Sequence, residues 1–158
     1  MSDLLIYMTG NGGEANLIND NDLELTNGLF NMVLIAMFGG NPDGVTTESI
    51  EEGEQRFDWW GNSLFFNNKP EQQFNSYTEN LLNNIALTSQ SRGIIKGYVL
   101  KDLEFLSNLA EIDVNISLLS NDKIDITVKV KELSNIQNSE FQFIWDATKS
   151  ELIENRII

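Results

Sequence analysis

Cysteine and histidine are both absent from this 158-residue chain. Without cysteine there is no disulfide framework and no thiolate chemistry, which fits a reducing compartment. Without histidine the chain loses the commonest general base, the commonest metal ligand and the usual partner of a serine or cysteine nucleophile. The two absences together leave a structural zinc site without its ordinary ligands. Basic residues are also few: 10 against 24 acidic ones, a net charge of −14. Such a chain is repelled by phosphate backbones and by anionic lipid, so neither nucleic acid nor membrane is expected as a partner. Long apolar runs are missing too. The longest, Met32 to Phe38, is far too short to span a bilayer. The opening Met1-Ser2-Asp3-Leu4-Leu5-Ile6-Tyr7 has no basic segment of the kind that begins a signal peptide. These features predict a protein that is intracellular or destined for a particle assembled inside a cell.

What is present suits one globular domain. Hydrophobic residues make up 41%, and a chain of this length buries roughly 70% of the surface its unfolded form exposes. The excess acid serves solubility. In a sharper reading it also faces a basic patch on a partner. Residues 1–146 read as a single α+β domain and 147–158 as a C-terminal tail, either a short helix or a docking arm.

The pattern along the chain gives the elements. Leu4 to Met8 reads as a short strand broken by Thr9-Gly10-Asn11-Gly12-Gly13. Leu17-Ile18 and Leu23-Glu24-Leu25 are brief strands either side of the Asn19-Asp20-Asn21-Asp22 turn. Thr26-Asn27 supplies an N-cap. Leu29, Phe30, Val33, Leu34, Met37 and Phe38 follow at helical spacing, and the helix is apolar on most sides, as a central core helix is. Gly39-Gly40-Asn41-Pro42 ends it. Residues 41–75 read as irregular. They carry Asp43, Glu48, Glu51, Glu52, Glu54 and Asp58 together with Phe57, Trp59-Trp60-Gly61 and Leu64-Phe65-Phe66. Tyr77, Leu81, Leu82 and Ile85 mark a second helix. Ile94, Ile95, Tyr98, Val99, Phe105 and Leu106 mark a third, capped from Thr88, Ser89 or Ser91 and ending near Ser107-Asn108. Gly93 and Gly97 inside it either permit close backbone packing or are simply tolerated.

The clearest signal is period two. Ile112, Val114, Ile116 and Leu118 alternate with polar residues. After Ser120-Asn121-Asp122, Ile124, Ile126, Val128 and Val130 alternate again. That is an antiparallel hairpin with one wet face. Phe141, Phe143 and Trp145 add a third strand. The expected architecture is helices packed on one face of a small antiparallel sheet with an open edge.

Few motifs point to chemistry. Gly10-Asn11-Gly12-Gly13-Glu14-Ala15 matches a relaxed dinucleotide pattern, but an Asn- and Asp-rich stretch follows where a helix is needed, so no cofactor is expected. Asp20, Asp22 and Glu24 resemble the start of a calcium loop. Leu25 and Asn31 stand where that loop needs glycine and glutamate, so no metal is expected. Asp58 beside Trp59-Trp60 has two readings, a general acid in an aromatic pocket or an exposed acid next to buried rings. Trp59 and Trp60 are themselves core residues or interface anchors.

Taken in order, these pieces resemble a known family. Asp22-Leu23, Asn27-Gly28-Leu29 opening an apolar helix, an acidic stretch to Arg56, Trp59-Trp60-Gly61, two helices, the alternating hairpin and Phe141-Gln142-Phe143-Ile144-Trp145 resemble the Mu-like phage baseplate proteins over roughly residues 20–146. Two departures stand out. Asn62 follows Trp-Trp-Gly where the family has an acid. Gly39-Gly40-Asn41-Pro42-Asp43-Gly44 stands where it has a charged, arginine-bearing segment.

The resemblance implies a virion protein of the contractile-tail baseplate, an inner wedge component similar to the sheath initiator. Its implied partners are larger wedge proteins, tail sheath subunits, and tube or hub proteins. Some proteins of this kind carry a lysozyme-like label, but nothing in this chain supports that activity, and no enzyme is expected. Sheath subunits would dock by strand addition, with an interface drawn from Trp59, Trp60, Ile112, Val114, Ile124, Ile126, Val128, Phe141, Phe143 and Trp145. The alternatives are a glycan hydrolase with paired acids such as Asp58, and a free acidic binding module that occupies a basic protein.

Overall fold

The computed structural model describes residues 2–9, 12–15, 17–18, 22–40, 60–66, 69, 72–133 and 138–158. The N-terminal region is a set of short strands: β1 (Ser2–Leu4), β2 (Ile6–Thr9), β3 (Gly12–Ala15), β4 (Leu17–Ile18), β5 (Asp22–Leu23) and β6 (Leu25–Asn27). They pair antiparallel as β1 with β6, β2 with β3 and β4 with β5. The run from Leu4 to Met8 is therefore two strands. Leu5 breaks it, its N–H donating to Glu24 O at 2.8 Å and its side chain buried.

Helix α1 (Gly28–Phe38) follows directly. Thr26 does not cap it: its hydroxyl is buried without a partner among the described residues. Phe30, Val33, Leu34, Ala36, Met37 and Phe38 are all buried, which explains a helix with so little polar face. At its end Gly40 sits at φ 88°, and a Cβ at Gly39 would collide with the Ile35 carbonyl. Both positions therefore need glycine. Helix α2 (Trp60–Phe66) occupies part of the stretch that reads as irregular. Its seven residues are too few to show a helical period. Helix α3 (Tyr77–Asn84) and helix α4 (Ser91–Asp102) follow, and a separate 3-10 turn spans Glu104–Leu106. The third helix thus stops at Asp102, short of Ser107. A reciprocal box opens it. Ser91 N–H donates to Thr88 Oγ1 (3.2 Å), and Thr88 N–H donates to Ser91 Oγ (2.9 Å).

The main sheet is β7 (Ala110–Leu118), β8 (Lys123–Glu132), β9 (Asn138–Asp146) and β10 (Glu151–Ile157), in the order β10-β9-β8-β7 and antiparallel throughout. The segment read as a tail is in fact the fourth strand. A bulge between Leu152 and Glu154 shifts its phase and hides the alternation. Asn155 inside β10 donates from Nδ2 to Ile6 O (3.3 Å), which ties that side of the sheet to β2.

Helix α1 lies on the core face of β9. Phe30 contacts Phe141 and Phe143, while Phe38 contacts Phe143 and Trp145. The lengths agree. Eight helical residues rise about 12 Å and four strand residues about 13 Å, so the helix runs along the strand. Helix α4 adds Ile95 and Val99 to the same core. The molecule is a small α+β fold with its helices on one face of an antiparallel sheet.

Candidate functional site

The two edges of the main sheet differ. Beyond β10 lies β2. Beyond β7 no strand pairs among the described residues. The hydrogen-bond phase of β7 is fixed at both ends. Leu119 N–H donates to Lys123 O and Leu133 N–H to Leu109 O, both at 2.9 Å. These continue the register in which Glu111 faces Lys131 and Asp113 faces Lys129. In an antiparallel ladder alternate residues bond to the neighbour and the others point away. The odd-numbered residues of β7 therefore bond to β8. The N–H and C=O groups of Ala110, Ile112, Val114, Ile116 and Leu118 face outward. A strand of 9 residues presents about 30 Å of such edge.

Side chains on the sheet's wet face form columns of alternating charge. The β7 column has Glu111 and Asp113. The β8 column has Lys131 and Lys129. The β9 column has Glu140. Lys131 pairs with Glu111 at 2.9 Å and Lys129 with Glu140 at 3.2 Å. Lys96 from α4 reaches Asp113 at 3.4 Å. All these pairs are largely exposed, so each contributes about 0–1 kcal/mol. Glu111, Asp113, Lys129, Lys131 and Glu140 line an open hollow of about 480 Å³. Inside it the acids face lysines across the strand pairs, which disfavours a metal ion there.

The residues expected as interface anchors need correction. Val114, Ile124, Ile126, Val128, Phe141, Phe143 and Trp145 are buried in the core, and Ile112 is half-buried. Their alternation marks the face turned to the helices, so the side chains of the seven buried residues are not available to a partner. What β7 presents is its backbone and the half-buried side chains of Ile112 and Leu118. Trp60 is the first residue of α2, while Trp59 and Asp58 lie outside the described residues. Gly12 and Gly13 belong to β3, so these glycines enter a strand and not a helix N-terminus.

Two carboxylates escaped the sequence reading. Asp102 accepts the Tyr77 N–H (3.0 Å) and the Thr78 N–H (2.7 Å), capping α3 from the end of α4. Burial pushes its pKa up to about 6, against the opposing hydrogen bonds from Thr78 and Tyr77. Glu79 Oε2 accepts the Gly40 N–H at 3.0 Å beyond the end of α1. Burial, opposed by that bond and reinforced by the charge of Asp102, raises its pKa to about 7. Both acids have structural duties as caps. No cluster of metal-ligating side chains exists among the described residues.

Asn62, where the resembling family has an acid, is fully buried. Its Nδ2 donates to Phe74 O and its Oδ1 accepts the Phe74 N–H, both at 2.9 Å. A carboxylate could not make the first bond. Further along α2, Leu64 and Phe65 are 67% and 60% exposed.

Compared with protein-family models, with curated proteins and with solved structures, the chain matches none.

Proposed function

We propose that this chain is a non-catalytic assembly part of a contractile phage tail baseplate, an inner wedge protein of the sheath-initiator kind. In this reading a strand from a tail sheath subunit adds to the outer edge of β7, and larger wedge proteins and the tube or hub hold the rest of the molecule. The protein would reside in the virion after assembly in the host cytoplasm.

The observation that carries the proposal is the outward-facing backbone of β7. Open edges are aggregation hazards in a protein that must stay soluble, and a partner strand removes the hazard. Strand addition draws its affinity from backbone hydrogen bonds. That suits an edge whose apolar side chains are already used in the core. The order of motifs from Asp22 to Trp145 and the −14 charge, which keeps the unassembled chain soluble, agree with the same role.

Mass spectrometry of purified tails, with and without their sheath, tests the proposal. The chain should be present in both and should stay with the baseplate when sheath is stripped. A chain that never enters a tail or tail-like particle contradicts it.

A further inference from the structure

The charge columns of the sheet carry a prediction about the strand that would complete it. From the interior outward they run Glu140 on β9, Lys129 and Lys131 on β8, then Glu111 and Asp113 on β7. Opposite charges directly across a strand pair are favourable and like charges are not. The next column, outside β7, is therefore one for cations. Among the described residues Glu111 pairs with Lys131 of β8 and Asp113 with Lys96 of α4, and the two acid side chains still remain 65% and 73% exposed. In the isolated chain Lys96 approaches Asp113 from α4, itself 44% exposed. It contributes a cation from beside the sheet, in a pair weak enough to exchange.

The core side of the same strand adds a second requirement. Val114 and Ile116 are buried, whereas Ile112 and Leu118 toward the two ends are half-buried. An added strand would place apolar side chains beside them.

We infer that the partner of the β7 edge is an extended segment of about nine residues that alternates Lys or Arg on the wet face with apolar residues on the core face. Its cations meet Glu111 and Asp113. This rests on the strand-addition reading above and specifies which strand would be accepted. It also assigns part of the acidic surplus a recognition role, in which acid meets base across an interface.

Peptides of 9 residues, matched to β7, test it. They alternate valine with lysine, with threonine or with glutamate, and are titrated onto the full chain. The lysine peptide should bind about tenfold more tightly than the threonine peptide, and the glutamate peptide least. In the double variant Glu111→Lys, Asp113→Lys the order should reverse. In Glu104→Lys, Asp22→Lys, which changes the net charge equally at exposed sites off the sheet, the order should persist. Lys96→Ala should strengthen lysine-peptide binding by freeing Asp113. Ile112→Pro removes an outward N–H without removing a bond to β8, and should weaken all peptides alike.

Equal binding of the three peptides, or equal effects of the two charge variants, overturns the basic-strand inference while leaving strand addition standing. No binding by any peptide, or binding indifferent to Ile112→Pro in a variant that keeps its fold, overturns the edge reading and the inference with it.

Discussion

Asp102, the last residue of α4, accepts the N–H of Thr78 in the first turn of α3 at 2.7 Å. This contact joins two helices that are separate in sequence, and Glu79 extends the junction to the end of α1 through Gly40. Both carboxylates have folded pKa values raised above their ordinary ones, Glu79 to about 7 and Asp102 to about 6. The folded chain therefore holds more protons than the unfolded chain between about pH 4 and 7. Stability from these groups is fully present below their ordinary pKa and is lost as pH rises through the raised values. For Glu79 the loss is about 3 kcal/mol. Thermal melts across this range should show Tm falling with pH, and Glu79→Gln should flatten the fall. Superimposable Tm profiles for the two proteins would refute the assignment.

Gly93 and Gly97 lie in α4 with nothing among the described residues within 4 Å of where a Cβ would stand. Close backbone packing is thus not their role, and each weakens the helix by about 1 kcal/mol relative to alanine. Gly97→Ala should raise Tm, with Gly93→Ala additive to it. A drop in Tm for either would point to a neighbour not seen in this structure.

Phe143 is fully buried and meets rings from both ends of α1, Phe30 at 6.1 Å and Phe38 at 5.5 Å. Phe143→Ala should cost about 3–5 kcal/mol, measured by urea unfolding. That is a large share of the ~5–15 kcal/mol typical of whole domains. A loss under 1 kcal/mol would mean that α1 does not dock as described.

Removal of residues 147–158 should be severe. It deletes β10, uncovers the β9 edge and takes away Leu152, which pairs with Trp145. The shortened chain should aggregate or lose its cooperative melt. A monomer with unchanged Tm would restore the reading of this segment as a tail outside the domain.

The strongest elements were legible in the sequence because one physical signal dominated each. Strict alternation from Ile112 to Val130 gave the hairpin, and the apolar run from Leu29 to Phe38 gave the central helix. Misreadings arose where signals were short or interrupted. Helix α2 is shorter than two full periods, and the bulge at Leu152–Glu154 scrambled the phase of β10. The seven buried strand residues were misjudged as anchors for a different reason. Alternation says that a strand has a buried face, but not whether a partner or the chain's own helices cover it. Asp102 and Glu79 lacked any local signature, since their partners Thr78 and Gly40 lie 24 and 39 residues away.

The claim on which the functional account turns is that β7 offers an unclaimed edge. Residue-resolved amide hydrogen exchange of the isolated full chain measures this directly. The amides of Ile112, Val114 and Ile116 should exchange far faster than those of Asp113, Asn115 and Ser117, which bond to β8. Equal protection of both sets would mean that the chain covers this edge itself, and the proposed docking site would not exist.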